Sequence, residues 1–112
     1  MKGELKTLKQ IREEIESIDN RIIELIAKRT ALAEELLRAK LREGTSIVDE
    51  EQRKKVLERV AREASKRGID AASVTKVFEI LITMNENKQK ELAAMLGATG
   101  IEGGENEQQR RQ

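Results

Sequence analysis

Four polar side chains interrupt two apolar helical stripes, and their chemistry suits a small anion. Arg29 and Lys40 fall where one stripe should continue with apolar residues, and Asn85 and Gln89 interrupt a second stripe in the same way. If the two helices pack together, these residues converge. Two cations and two amides offer no nucleophile, so such a site would hold a small dianion and act by positioning and electrostatic stabilisation.

Each of these residues, taken singly, has a purely structural interpretation. An arginine on a helix seam often snorkels to solvent or pairs with a glutamate, and a single asparagine often fixes helix register. The interruptions coincide, however, in a chain of 112 residues that has few apolar positions to spare. This coincidence favours a polar pocket over separate structural roles.

The helix that carries the two cations is long. Its apolar residues recur at steps of three and four, the spacing of one helix face, except where Arg29 takes the place of one of them. They are Leu8, Ile11, Ile15, Ile18, Ile22, Leu25, Leu32 and Leu36. The pattern predicts a first helix from about Glu4 to Arg42 that stops at Gly44. Arg29 and Lys40 then lie on one face about 16 Å apart along the axis. Such a helix spans about 60 Å, too long for a compact monomer, so we expect it to pack against another chain.

Two further helices complete an all-α fold. Asp49 is a suitable N-cap for the second helix, with Gln52 placed to complete a capping box, and this helix should end near Gly68. Asp70 caps a third helix, whose stripe comprises Val74, Val77, Phe78, Leu81, Leu92 and Leu96. Residues 1–96 are predicted to form one helical domain, and the glycine-rich segment 97–112 a flexible tail.

Composition disfavours several classes of function. The 22 basic and 21 acidic residues nearly cancel, which argues against nucleic acid or an anionic membrane as a partner. No apolar run has membrane-spanning length and the N-terminus lacks a signal-peptide pattern, so a cytoplasmic location is expected. The chain contains no His and no Cys, which removes imidazole bases, thiol nucleophiles and the usual zinc ligands.

Several segments, in their order and spacing, resemble the all-α class of chorismate mutases. They are REEIESIDNRIIELIAKRTALA from Arg12 to Ala33, then Lys40, VDEE from Val48 to Glu51, and FEILITMNENKQ from Phe78 to Gln89. The similarity covers about residues 5 to 92 without a gap. It implies an intertwined helical homodimer whose long first helix spans both subunits, and an activity that needs no cofactor.

The resemblance also implies roles for the cations and amides. Arg29 and Lys40 would bind the carboxylates of chorismate, and Lys40 and Gln89 would donate hydrogen bonds to its ether oxygen. Asn85 would help to hold the ring carboxylate, while Arg12 would reach in from the other subunit. The last point agrees with geometry, because Arg12 lies about 25 Å from Arg29 along the helix axis and cannot serve the same small ligand within one chain.

The implied reaction is the Claisen rearrangement of chorismate to prephenate, in the biosynthesis of phenylalanine and tyrosine. This unimolecular step breaks a carbon–oxygen bond while a carbon–carbon bond forms, and it needs no proton transfer. A chain without His or Cys can therefore catalyse it by holding the compact conformer and stabilising charge on the ether oxygen.

The start of the second helix departs from the family pattern D-x-x-R-E. After Asp49 the aligned residues are Gln52 and Arg53, so an amide replaces the usual arginine, and a cation replaces the glutamate that accepts from the ring hydroxyl. We include all three among the predicted substrate-binding residues. Three interpretations stay open: Gln52 hydrogen-bonds the substrate, Arg53 swings into the site, or activity is reduced. For Gln52 the structural alternative is the capping box.

Two other functions fit the same features. One is cleavage of pyruvate from isochorismate on the same fold. The other is a non-catalytic helical dimer that binds a pathway metabolite or a partner enzyme.

Overall fold

The computed structural model describes residues 5–98, and these form helices joined by short connections, with no strand among them. The segments are α1 (Leu8–Ala31), α2 (Ala33–Glu43), α3 (Glu50–Lys66) and α4 (Ala71–Ala98). The all-α prediction is confirmed: α1 and α2 together occupy the place of the predicted first helix, and α3 and α4 are the second and third. Most of the predicted tail lies outside the described residues, although Gly97 and Ala98 are the last residues of α4.

The start of α1 is set by a capping box. The Thr7 hydroxyl accepts a hydrogen bond from the Gln10 backbone N–H at 3.1 Å, and the Gln10 side-chain oxygen accepts from the Thr7 N–H at 2.8 Å. This reciprocal pair satisfies two backbone donors that the first turn would otherwise leave free. The helix therefore begins at Leu8, whereas the predicted start at Glu4 lies outside the described residues.

The predicted first helix is interrupted once, at Leu32. The Leu32 N–H bonds to the Arg29 carbonyl at 3.3 Å, three residues back instead of the usual four. Leu32 keeps right-handed helical angles (φ −75°, ψ −6°), so the chain continues directly into α2. The helix ends at Gly44 as predicted, because this glycine adopts the left-handed conformation (φ 73°) and its N–H bonds to the Lys40 carbonyl.

The two later helices begin at the predicted caps. The Asp49 carboxylate accepts from the Gln52 N–H at 3.1 Å at the start of α3, and the Asp70 carboxylate accepts from the Ser73 N–H at 3.1 Å at the start of α4. These bonds satisfy N-terminal donors in both helices.

The core lies where α2, α3 and α4 pack together, and α1 contributes no buried residue to it. The buried apolar residues are Ala33, Leu37, Val60, Ala64 and Ile82. The apolar stripe of α1, from Leu8 to Leu25, is instead between 44% and 61% exposed. The result is an elongated molecule, 66 Å along its longest dimension. Within residues 5–98, every helix is too short or too polar to cross a lipid bilayer.

Candidate active site

A cavity of about 530 Å³ opens between α2, α3 and α4, a size typical of small-molecule sites. Seven of the eight predicted site residues line it: Arg29, Lys40, Asp49, Gln52, Arg53, Asn85 and Gln89. The eighth, Arg12, is exposed on α1 and does not line the cavity in the described part of the chain. One chain thus brings together the predicted cations and amides, but not the arginine expected from a second chain.

Arg29 connects the end of α1 to α4. Its Nη1 donates to the Leu81 carbonyl at 3.1 Å, a bond between residues that are 52 positions apart in sequence. Burial lowers the pKa of Arg29, and the nearby charge of Arg59 lowers the pKa further. A guanidinium nevertheless stays protonated in proteins, and it carries five N–H donors. Arg29 is therefore a fixed cation with donors left for a ligand.

A chain of amides links Arg29 to the base of the cavity. Asn85 Nδ2 donates to the Arg29 carbonyl at 3.0 Å, and Gln89 Nε2 donates to Asn85 Oδ1 at 2.6 Å. Gln89 is only 1% exposed, yet its Oε1 has no hydrogen-bond partner among the described residues. Buried polar atoms are normally paired, because an unpaired one costs about 1–3 kcal/mol. The interrupted seam of α4 is therefore an ordered polar array in which one buried acceptor has no partner within residues 5–98.

Lys40 is held on the opposite side of the cavity. Its Nζ donates to the Ile47 carbonyl at 2.5 Å, across the turn that Gly44 makes possible. Burial lowers the pKa of Lys40, and the negative charges of Glu86 and Asp49 partly oppose this effect. The ammonium is thus partly desolvated, a state in which its interaction with an anion is stronger than in water.

The start of α3 supplies the third wall. The Asp49 carboxylate caps the helix, as the structural interpretation expected, but within residues 5–98 the Gln52 side chain makes no return hydrogen bond to Asp49. The capping box is thus half formed, and the Gln52 side chain lines the cavity instead. Gln52 is therefore available to a ligand.

Sequence reasoning missed Glu86. Its carboxylate lines the cavity and pairs with Arg53, with 3.5 Å between Oε1 and Nη1. The signal was present in the sequence, because Ile82, Asn85, Glu86 and Gln89 have the i, i+3, i+4, i+7 spacing of one helix face. Apolar lining residues were also missed, namely Leu32, Leu36, Ala39, Ile47, Val56 and Ile82.

The cavity therefore combines three cations, three acidic residues, two buried amides and an apolar wall. Cations and amide N–H groups bind carboxylates and electron-rich oxygens, while the apolar wall accommodates a carbon skeleton. No group of three or more acidic side chains in the described part of the chain is arranged to hold a metal ion. These features define an all-α protein whose cavity suits a small organic dianion.

The chain belongs to the type II chorismate mutase family, whose sequence profile matches residues 11–90. Membership of this family assigns the chain to the isomerases. The chain is 34% identical to the chorismate mutase of Methanocaldococcus jannaschii over 87 residues, which make up 78% of this chain and 88% of that protein.

Two longer relatives match over a similar share of the chain. They are bifunctional chorismate mutase/prephenate dehydratases of Buchnera aphidicola, from the subspecies Schizaphis graminum and Acyrthosiphon pisum. The first is 31% identical over 85 residues, or 76% of this chain and 22% of that protein. The second is 30% identical over 81 residues, or 72% of this chain and 21% of that protein.

Proposed function

We propose that the protein catalyses the Claisen rearrangement of chorismate to prephenate, and that it does so in the cytoplasm as a step toward phenylalanine and tyrosine. The observation that carries the proposal is the position of Arg29, Lys40 and Gln89 on one cavity of a chain in the chorismate mutase family. Chorismate is a compact dianion with an apolar ring, and it matches the cations, the amides and the apolar wall.

Binding selects the reactive shape of the substrate. Arg29 and Lys40 hold the two carboxylates, and the apolar residues of α2 and α4 enclose the ring. This arrangement favours the compact conformer in which the two carbon atoms that will bond lie close together. Restricting a flexible substrate in this way lowers the entropic part of the barrier.

Charge stabilisation lowers the barrier further. As the carbon–oxygen bond breaks, negative charge grows on the ether oxygen, and donors that are already in place stabilise it. Lys40 Nζ and the second N–H of Gln89 Nε2 are these donors. Asn85 holds the Gln89 amide in position through the bond to Oδ1, and its own second N–H faces the ring carboxylate. Asp49, Gln52 and Arg53 complete the wall at the start of α3.

We further propose that the active form is an intertwined homodimer. The support is the apolar stripe of α1, which extends over six aliphatic residues and is about half exposed in the single chain. A second copy of the chain that covers this stripe would bring Arg12 of the partner subunit to the cavity. The third cation for the substrate carboxylates would then come from another chain.

The direct test is an assay of chorismate consumption and prephenate formation with the purified protein. We expect a rate far above the uncatalysed background, and a rate equal to that background would contradict the proposal. Isochorismate is supplied in a parallel reaction, because pyruvate release would identify a lyase instead. Titration with a bicyclic dicarboxylate that resembles the transition state distinguishes a catalytic site, which binds it tightly, from a scaffold without activity.

The matched variants are Gln89→Ala and Gln10→Ala. Gln89 is the buried amide of the cavity, whereas Gln10 is an exposed residue of the α1 capping box. We expect Gln89→Ala to lose about a hundredfold or more in kcat, the size of effect seen when one donor to a developing oxyanion is removed. Gln10→Ala should keep the wild-type rate in the assembled protein.

A further inference from the structure

Glu86 is a carboxylate in a cavity that is otherwise built for an anion. Its side chain is 14% exposed, and it lines the cavity together with the cations Arg29, Lys40 and Arg53. The other two acids on the wall are placed differently, since Asp49 caps α3 and Glu43 is exposed. Glu86 is thus a partly buried carboxylate that a ligand would meet and that caps no helix.

The hydrogen bonds of Glu86 are incomplete. Within residues 5–98, its only donor is Arg53 Nη1 at 3.5 Å, a long contact to a single oxygen. An ionised carboxylate can accept about four hydrogen bonds and can donate none. The Glu86 carboxylate can therefore accept further hydrogen bonds, and only a hydrogen-bond donor can supply them.

A carboxylate facing a dianion would weaken binding unless it served another part of the ligand. Arg53 offsets the charge of Glu86, because the guanidinium of α3 pairs with it across the cavity wall. The remaining acceptor capacity then suits a hydroxyl group on the same ligand. A charge-assisted hydrogen bond of this kind is strong, and it is directional enough to discriminate between ligands.

We propose that Glu86 accepts a hydrogen bond from the ring hydroxyl of the substrate, and that Arg53 offsets the charge of Glu86 beside the dianion. This assignment rests on the proposed function for the identity of the substrate, which carries one ring hydroxyl. It makes Glu86 a substrate-binding residue that selects hydroxylated dicarboxylates. Arg53 instead neutralises the acid, which favours binding of a dianion whether or not the ligand carries the hydroxyl.

A purely structural role gives a different expectation. If the Arg53–Glu86 pair only fastened α3 to α4, breaking it from either side would have the same effect on every ligand. If Glu86 receives the hydroxyl, its removal affects hydroxylated ligands selectively. Removal of Arg53 instead weakens binding without changing the preference.

The test compares kcat/KM for chorismate with kcat/KM for the analogue in which hydrogen replaces the ring hydroxyl. The wild type should prefer chorismate, and Glu86→Ala should reduce this preference about tenfold to a hundredfold, the worth of a hydrogen bond to a charged acceptor. Glu86→Gln should fall in between, because its amide oxygen is a neutral acceptor.

Two further variants serve as controls. Arg53→Gln breaks the same ion pair from the other side and should retain the preference for the hydroxyl. Glu79→Gln changes an exposed acid of α4 that does not line the cavity and should behave as the wild type. Equal losses for the two substrates in Glu86→Ala, or loss of the preference in Arg53→Gln, would overturn the assignment.

A binding measurement separates this inference from the proposed function. Calorimetric titration of a bicyclic dicarboxylate with and without a hydroxyl group requires no turnover. The wild type could fail to convert chorismate and still bind the hydroxylated compound more tightly than the other. If Glu86→Ala then abolishes this difference in affinity, the proposed reaction is wrong but the role of Glu86 stands. If the wild type shows no preference between the two compounds, the role of Glu86 is wrong whatever the activity.

Discussion

α1 and α4 carry the two long apolar stripes of this chain, and the molecule uses them in opposite ways. α1 leaves its aliphatic residues exposed, with Ile18 59% exposed and Leu8 61% exposed. α4 buries two polar residues instead, with Asn85 at 8% and Gln89 at 1% exposure. Exposed apolar and buried polar groups are the informative exceptions to ordinary burial. In this chain the first agrees with the proposed surface for association, and the second with the proposed active site.

This difference separates the residues that form the cavity from those that we propose to join two chains. The cavity is formed by contacts within one chain. Arg29, at the end of α1, exchanges hydrogen bonds with α4, and Asn85 bonds to Gln89 within α4. Lys40 of α2 bonds to the connection between α2 and α3. The stripe of α1 plays no part in that packing. We therefore expect changes in the apolar stripe of α1 to act on assembly, and changes in the cavity to act on binding and turnover.

The largest effect should come from charges placed in the α1 stripe. The double variant Ile15→Glu/Ile22→Glu puts two carboxylates on a surface that we propose to be buried between chains, where an unpaired charge is very costly. We expect the dimer to dissociate and turnover to fall to near background. Sedimentation and the chorismate assay measure the two effects.

The matched control for this variant is Asn20→Glu. Asn20 is exposed on the face of α1 opposite the stripe, so the same charge there should leave both assembly and activity intact. If the double variant remained dimeric and active, the proposal that the α1 stripe serves assembly would be wrong.

A smaller but still large effect is expected from Lys40→Met, which keeps the length of the side chain and removes its charge. Loss of one preorganised donor to the ether oxygen should reduce kcat about a hundredfold to a thousandfold. Helical content and assembly should remain those of the wild type, as circular dichroism and sedimentation will show. Lys55→Met, on the exposed side of α3, is the control. Dissociation of the Lys40 variant would mean that the cavity also supports assembly.

A moderate effect is expected in the pH dependence of kcat/KM. Lys40 acts as a cation, and burial lowers its pKa, so activity should fall at alkaline pH before an exposed lysine would lose its charge. The charge of Glu86 raises the pKa of Lys40. In Glu86→Gln the alkaline fall should therefore move to lower pH, whereas Glu79→Gln should leave it unchanged. A shift to higher pH would contradict this electrostatic coupling.

The same pKa shift affects stability with a definite sign. Because the folded pKa of Lys40 lies below the unfolded pKa, the unfolded chain binds more protons between the two values. The free energy of unfolding contributed by Lys40 should therefore rise as pH increases through that interval. Denaturant unfolding of the wild type and Lys40→Met at several alkaline pH values tests this, since the variant should lack the rise.

The smallest effect is expected from Thr7→Ala at the start of α1. The substitution removes the hydroxyl of the capping box and should reduce the free energy of unfolding by about 1 kcal/mol. Thr7 lies more than one helical turn before Arg12, so kcat/KM of the assembled protein should not change. A change in kcat/KM with normal assembly would show that the cap also positions Arg12 for the partner subunit's cavity.

The sequence predicted the parts of the structure that depend on local patterns. The spacing of the α1 stripe and the caps Asp49 and Asp70 placed the helices, and Gly44 marked a stop that requires a left-handed residue. The interruptions at Arg29 and Asn85 indicated the cavity, because burying a polar residue on an apolar seam costs free energy and therefore suggests a function.

The parts that escaped prediction depend on contacts between distant segments. The break at Leu32 follows no local signal of glycine or proline, and the Arg53–Glu86 pair joins residues 33 positions apart. Thr7 was overlooked because the apolar stripe begins one residue later and several polar residues precede it. Periodicity places a side chain on a face, but it does not tell which side chain of another helix will meet it.

The hydrogen bond from Lys40 to the Ile47 carbonyl has a consequence for the ligand-free protein. A substrate oxygen that draws the ammonium inward competes with this carbonyl, so occupancy of the site is linked to the order of the connection between α2 and α3. Hydrogen exchange at the backbone amides of this connection should then change when a ligand binds. The exchange rate of this connection would then indicate whether a ligand occupies the cavity, although the connection takes no part in the reaction.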